Sequence, residues 1–263
     1  MTLRVESDGP TTVVTVSRLS VRNAVDLATA GDLFAAFQQI EADDDCRVAI
    51  LTGDGGTFCA GADLGAVSEN GGNRVDPMPP ASDTDGHLPG PMGPTRMQLS
   101  KPVIAAVEGY AVAGGLELAV WCDLRVAARD AVFGVFCRRW GVPLVDGGTV
   151  RLPRLIGHSR AMDMILTGRP VAGPEAFEWG LANRLSEPGE ALADAKVLAA
   201  EIAAFPPRCV VSDRRSAREQ WSLSEHDALA NETLLGLETI ASGETLEGAT
   251  RFASGEGRHG KFT

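Results

Sequence analysis

Apolar and polar positions alternate with two different periods along this chain. Thr12 to Ser17 is a β-branched run that predicts a strand, and Asp26 to Glu41 carries apolar residues at helical spacing. Val48 to Leu51 predicts a short buried strand that stops at the turn-rich Thr52-Gly53-Asp54-Gly55-Gly56. Order resumes at Phe58 to Leu64. From Glu69 to Pro94, Gly, Pro, Asp, Asn and Ser cluster and large apolar residues thin out, which predicts a mobile loop, with a lid as one role open to it. Val103 to Val107 reads as a strand, Ala113-Gly114-Gly115 as a tight turn, and Leu116 to Trp121 as an apolar helix. Leu124 to Ala128 and Ala131 to Val135 read as further strands. After a second turn-rich segment, Gly141 to Gly148, helical patterns cover Ser159–Thr167, Pro174–Trp179, Glu190–Ala204, Ser212–Trp221, Glu225–Ser242 and Thr245–Ala253. Strand and helix units come first and helices last, predicting an α/β core over residues 1–200 and a helical region over 201–263.

Composition narrows the function classes. With 263 residues, 44% hydrophobic, the chain buries one sizeable core. Its apolar run at Val103 to Val112 is broken by Glu108 and Gly109, so no membrane span is expected. Arg4, Glu6 and Asp8 interrupt the place where a signal peptide would be apolar, and a cytoplasmic protein is the expectation. The five cysteines, Cys46, Cys59, Cys122, Cys137 and Cys209, are odd in number and form no CxxC pair, suggesting reduced thiols. A formal charge of −11, with three lysines among 24 basic residues, argues against nucleic-acid binding. The histidines, His87, His158, His226 and His259, show no metal-ligand spacing.

Two junctions, around Ala62 and around Gly114, place small residues where a helix begins. Helix N-termini present unpaired N–H groups and a dipole that favours anions. Two such groups converging on one point would make an oxyanion hole, and small residues let a carbonyl approach the backbone. Each junction alone also reads as an ordinary βα turn.

The block Thr57-Phe58-Cys59-Ala60-Gly61-Ala62-Asp63-Leu64, followed by Lys101 through Leu118 with Ala113-Gly114-Gly115-Leu116-Glu117 at its centre, resembles the signature of the crotonase superfamily. Ser17-Arg18, Arg22-Asn23-Ala24, Cys122 to Ala127, Gly147 to Gly157 and Gly180 to Asn183 extend the resemblance over nearly the whole chain. It implies a crotonase-like spiral of ββα units with a C-terminal helical trimerisation region, forming a trimer or hexamer. It implies an acyl-CoA substrate, with CoA as part of the substrate rather than a separate cofactor. The family's oxyanion amides carry over to Ala62 and Gly114, and its first catalytic glutamate to Glu117. CoA contacts carry over to Val21 and Arg22 and to Ala60, Ala62, Asp63 and Leu64, with Arg18 and Arg22 as cations for phosphate. The tail Arg258-His259-Gly260-Lys261-Phe262 resembles one that reaches CoA in a neighbouring subunit.

The family's second glutamate is absent, and Cys137 stands in its place. A thiol can act as acid or nucleophile, or be a small apolar side chain, the reading favoured here. The nearest replacement carboxylate is Asp146, before Gly147-Gly148, where capping a turn and taking part in catalysis are both open. The leading expectation is a hydratase adding water to a 2-enoyl-CoA. The alternatives are an isomerase or acyl-CoA hydrolase acting through Asp146, a hydrolase using Cys137, and a non-catalytic acyl-CoA binder.

Overall fold

The structure, a computed structural model, describes residues 2–80 and 86–257. The chain forms two compact units, residues 1–200 and 201–263. The tail from Arg258 onward lies outside the described residues.

In the first unit, β1 (Leu3–Asp8) and β2 (Thr11–Val16) form an antiparallel hairpin. A six-stranded sheet then runs in the order β1-β2-β3-β4-β6-β9, parallel from β2 onward, with β3 at Val48–Gly53, β4 at Val103–Val107, β6 at Leu124–Ala128 and β9 at Arg184–Ser186. The buried central strands β3 and β4 are near-continuous apolar runs, as a parallel sheet covered on both faces requires. A second sheet orders β5 (Tyr110–Val112), β7 (Val132–Gly134) and β8 (Val171–Ala172). Helix α1 (Leu27–Ala42) starts at an Asp26 cap whose carboxylate accepts from the Thr29 N–H at 2.8 Å, and it buries Leu33, Phe37 and Ile40.

Three passages of chain repeat one plan. Strand β4 is followed by β5 in the smaller sheet and then by α3 (Gly114–Trp121). Strand β6 is followed by β7 and a 3₁₀ turn at Phe136–Trp140. Strand β3 is followed by an extended segment whose Cys59 pairs in parallel with Ala111 of β5, and then by α2 (Leu64–Ser68). This is the ββα spiral that the sequence resemblance implies. The remaining helices of this unit are α4 (Gly148–Ile156), α5 (His158–Thr167) and α6 (Gly173–Glu178), with α7 following at Ala191–Ala203.

The second unit contains α8 (Pro207–Glu219), α9 (Glu225–Ala241) and α10 (Glu244–Ser254). Leu229, Leu234, Leu237 and Ile240 of α9 and Leu246 and Phe252 of α10 are exposed. Among the described residues no helix is long and apolar enough to cross a membrane.

Several elements depart from expectation, among them the short β5, β8, β9 and α2, which the sequence reading does not separate, and α8, which starts at Pro207 rather than Ser212. Strand β1 was not anticipated because Leu-Arg-Val-Glu-Ser-Asp is an edge strand exposed along most of its length. Helix α4 escaped because Pro153 and flanking glycines mask its pattern. The Ala131 to Val135 strand is shorter, spanning Val132–Gly134.

The loop before α1 is held by a fully buried side chain. Asn23, at φ +57°, donates through Nδ2 to the carbonyls of Asp54 and Thr57 at 2.9 and 2.8 Å, and its Oδ1 accepts from the Arg18 N–H at 2.9 Å. Replacing Asn23 with Ala strands three polar groups and is expected to cost about 2 to 4 kcal/mol. Denaturant unfolding reads this directly, and an unchanged midpoint would mean that the three bonds contribute nothing net.

Candidate active site

The parallel pairing of Cys59 with Ala111 sets the geometry of the site. Three residues beyond each partner come Ala62 and Gly114, so the spiral brings the two junctions side by side. Two glycines permit the approach. A Cβ on Gly61, at φ +99°, would lie 2.8 Å from the Ala113 Cβ and 3.0 Å from the Gly114 nitrogen, and one on Gly115 would lie 2.1 Å from the Cys59 carbonyl oxygen. Gly114 is the first residue of α3, where a backbone N–H has no intrahelical acceptor. Neither the Ala62 nor the Gly114 N–H meets an acceptor among the described residues. Helix α2 begins two residues after Ala62, with Asp63 as its cap.

Ala60, Ala62, Leu64 and Gly114 line a cavity of about 670 Å³. Its wall is mainly apolar, with Val67, Val75, Met92, Phe136, Trp140 and Val142 among its residues. Glu117, Asp146, Cys137 and Asn73 bring polar groups to it. The Gly72 to Val75 and Pro91 to Met92 stretches of the expected loop thus form part of the wall. Asn73 ties them together by donating to the carbonyls of Val25 and Pro91 at 3.1 and 2.9 Å.

Glu117, on the first turn of α3, is 2% exposed. Its Oε1 accepts from the N–H groups of Asp146 and Gly148 at 2.9 and 2.8 Å. Burial, then the nearby charge of Asp146, pushes its pKa up to about 7 against the opposing pull of those N–H donors. Asp146 is 3% exposed, and its Oδ1 accepts from the Met92 N–H at 2.9 Å and from the Thr95 hydroxyl. Burial raises its pKa as well, opposed by the Thr95 and Met92 donors and then by Arg96 and Arg151. Two acids therefore share one apolar cavity, and each is gripped by two donors through one of its oxygens.

Cys137 lies in the same wall, and burial followed by the charge of Glu117 pushes its thiol pKa up. A neutral thiol is a poor nucleophile, in keeping with the inert reading. His87, His158 and His226 do not line the cavity, so among the described residues no imidazole is at hand to activate it.

The anticipated CoA-contacting residues separate into two groups. Ala60, Ala62 and Leu64 reach the cavity, whereas Val21, Arg22 and Asp63 do not. Arg22 is exposed, and its carbonyl accepts the Ala60 N–H at 3.1 Å. Asp63 caps α2 through Gly65 and Ala66 and pairs with Arg18 at 3.1 Å. Arg18 also pairs with Asp26 at 2.7 Å, so two carboxylates meet its charge. Met92, Thr95 and Asn73 were missed by sequence reasoning. They sit in or beside a segment without periodicity, and only the fold brings them to residues some fifty positions away.

A family model described as enoyl-CoA hydratase/isomerase matches residues 7–263. The chain belongs to the enoyl-CoA hydratase/isomerase family. It is 38% identical over 256 residues to the enoyl-CoA hydratase EchA19 of Mycobacterium tuberculosis, covering 95% of this chain and 92% of that one. It is 36% identical to the (E)-benzylidenesuccinyl-CoA hydratase of Thauera aromatica over 82% of each chain. A crystal structure of an enoyl-CoA hydratase from Mycobacterium tuberculosis superposes with a TM-score of 0.87 at 38% identity, covering 100% of this chain and 98% of that one. The fold is the crotonase fold, and the protein is an enzyme of the enoyl-CoA hydratase/isomerase family.

The position of Glu117 has a consequence for stability. Its folded pKa of about 7 lies above the unfolded value of 4.5, so its contribution is fully present below pH 4.5 and is lost as pH rises to about 7. Glu117→Gln keeps an oxygen for both N–H donors and removes the buried charge. It is expected to stabilise the protein at pH 8 by roughly 1 to 3 kcal/mol and to change little at pH 4.5. Thermal unfolding at the two pH values checks this, and a loss of stability at pH 8 would contradict it.

Proposed function

We propose that this enzyme adds water across the 2,3 double bond of a 2-enoyl-CoA, with Ala62 and Gly114 as the oxyanion hole and Glu117 and Asp146 as the acid and base. The carrying observation is the pair of adjacent, unengaged amides on the wall of a cavity that also presents two carboxyl groups. The hydratase names borne by the relatives point the same way.

In this reading the thioester carbonyl seats against the two N–H groups. Attack of a water oxygen at C3 pushes charge onto the carbonyl oxygen, and the amides stabilise the resulting enolate. One carboxylate takes a proton from the water while the other delivers one to C2, so the pair holds a single proton when substrate binds. The carboxyl of Glu117, balanced near pH 7, can fill either part. The Met92 thioether lies over Gly114, where a Cβ would come within 2.7 Å of the sulfur, and helps to keep bulk water from the enolate. CoA is then part of the substrate. We further propose a homotrimer or hexamer in the cytoplasm. The oligomer is supported by the exposed apolar residues of α9 and α10 and by the family resemblance.

Loss of conjugated absorbance from a short 2-enoyl-CoA tests the reaction. Wild type is expected to turn over, and Glu117→Gln and Asp146→Asn each to lower kcat by roughly 10² to 10⁴. An inactive wild type that still binds the thioester would overturn the proposal in favour of a binder or a different reaction. Because the pair must hold one proton, kcat/KM is expected to be bell-shaped in pH. It falls above about 7 as the pair loses its last proton, and the apparent values belong to the pair. A profile flat from pH 6 to 9 would contradict a shared proton.

A further inference from the structure

Asp146 is anchored unlike an ordinary turn aspartate. A carboxylate before Gly-Gly usually accepts from backbone a few residues along its own chain. Asp146 instead takes the Met92 N–H at 2.9 Å and the Thr95 hydroxyl, 54 and 51 positions away in sequence. Met92 lies in a tight turn in which Gly90 and Gly93 exchange two backbone hydrogen bonds, of 2.7 and 2.9 Å, and Thr95 follows in the 3₁₀ turn at 94–96. Gly90 itself cannot carry a side chain, since a Cβ there would fall 2.0 Å from the Thr95 Oγ1 and 3.0 Å from the Asp146 Oδ1. Arg151 of α4 then joins the two partners by their backbones, with Nη1 donating to the Asp146 carbonyl at 2.8 Å and Nη2 to the Thr95 carbonyl at 2.7 Å. Gly147 makes room for this guanidinium, because a Cβ there would lie 2.4 Å from Nη1. At its other end Asp146 donates its own N–H to Glu117.

We infer that Thr95, helped by the Met92 N–H and by the Arg151 bridge, is the positioning residue that holds the Asp146 carboxylate in its working orientation and in its ionised form. This rests on Asp146 acting in the reaction. The hydroxyl and the N–H occupy Oδ1, which fixes the carboxylate plane and leaves Oδ2 for the reacting water. A donated hydrogen bond favours the charged form of a carboxyl group. The charged groups facing Asp146 are Glu117 from α3, Arg96 from the 3₁₀ turn at 94–96 and Arg151 from α4. Of these, Glu117 opposes ionisation and the two arginines favour it. Thr95 supplies the neutral donor that adds to the arginines without adding charge to an apolar cavity.

The test compares Thr95→Val, Thr95→Ser, Arg151→Lys and Asp146→Asn with wild type in hydration of a short 2-enoyl-CoA, reading kcat, KM and the pH profile of kcat/KM. Thr95→Val is expected to lower kcat roughly tenfold with KM within about twofold, part of the roughly 10² to 10⁴ that a proton-transfer group supplies. Its acid limb should move to higher pH, because Asp146 loses a donor to its ionised form. Thr95→Ser restores the hydroxyl and should return both kcat and the acid limb to near wild type. Arg151→Lys, which loses the two-pronged bridge but keeps the charge, should lower kcat without moving the limb as far. Wild-type kcat and pH profile in Thr95→Val, alongside an inactive Asp146→Asn, would overturn the positioning role. Wild-type turnover in Asp146→Asn would instead remove the premise, and with it the assignment of Asp146 under the proposed hydration. If Thr95→Val fails to fold, the serine and Arg151→Lys variants still decide the matter. A serine variant as impaired as a misfolded one, or an Arg151→Lys variant at full rate, counts against the inference.

Discussion

The contact on which everything else depends is the close approach of the segment after β3 to β5 and the start of α3. Gly61 and Gly115 make it possible, for a Cβ at either would lie within 3 Å of the neighbouring strand. From that approach follow the pairing of Cys59 with Ala111, the alignment of Ala62 with Gly114, and two amides without acceptors beside a mainly apolar cavity. A buried N–H without a partner is costly. In the proposed reaction the Ala62 and Gly114 N–H groups, left without acceptors beside the cavity, would meet a carbonyl oxygen whose negative charge develops during reaction.

The acids of the site obey the same economy of water. Burial alone would neutralise both Glu117 and Asp146, and their proximity would make a doubly charged pair worse. The structure answers with neutral donors. Glu117 receives the amides of residues 146 and 148, and Asp146 receives an amide and a hydroxyl from the 90–96 segment. The arginines stay behind the backbone, with Arg151 bonding to carbonyls rather than to the carboxylate itself. Near pH 7 Glu117 is poised between its neutral and charged forms, and burial raises the pKa of Asp146 as well.

Much of this was legible in the sequence, for reasons that vary with distance along the chain. The buried parallel strands β3 and β4 announce themselves as apolar runs, and α1 by its period and its Asp26 cap. The glycines and alanines at 60–62 and 113–115 mark close approach, and Glu117 lies one turn beyond. What stayed hidden depends on long-range contacts. Edge strand β1 has too little burial to leave a pattern, and α4 is obscured by Pro153. Met92, Thr95 and Asn73 lie in or beside a stretch whose composition says only loop, though Met92 and Thr95 supply two donors to Asp146. Arg18 and Asp63 were legible as residues near the site, but the ion pair between them, and a second from Arg18 to Asp26, were not.

The central claim is that the Ala62 and Gly114 amides converge on one oxyanion. A 3-oxoacyl-CoA such as acetoacetyl-CoA tests it most directly, because its enolate absorbs where the neutral ketone does not. Mixing it with the enzyme across a range of pH reports the acidity of the bound ligand without requiring turnover. The account predicts enolate absorbance at a pH well below that needed in free solution, since two preorganised donors in a water-poor cavity favour the anion. Binding of the thioester with no shift in its enolisation would contradict the claim, leaving two unengaged amides that do not act together.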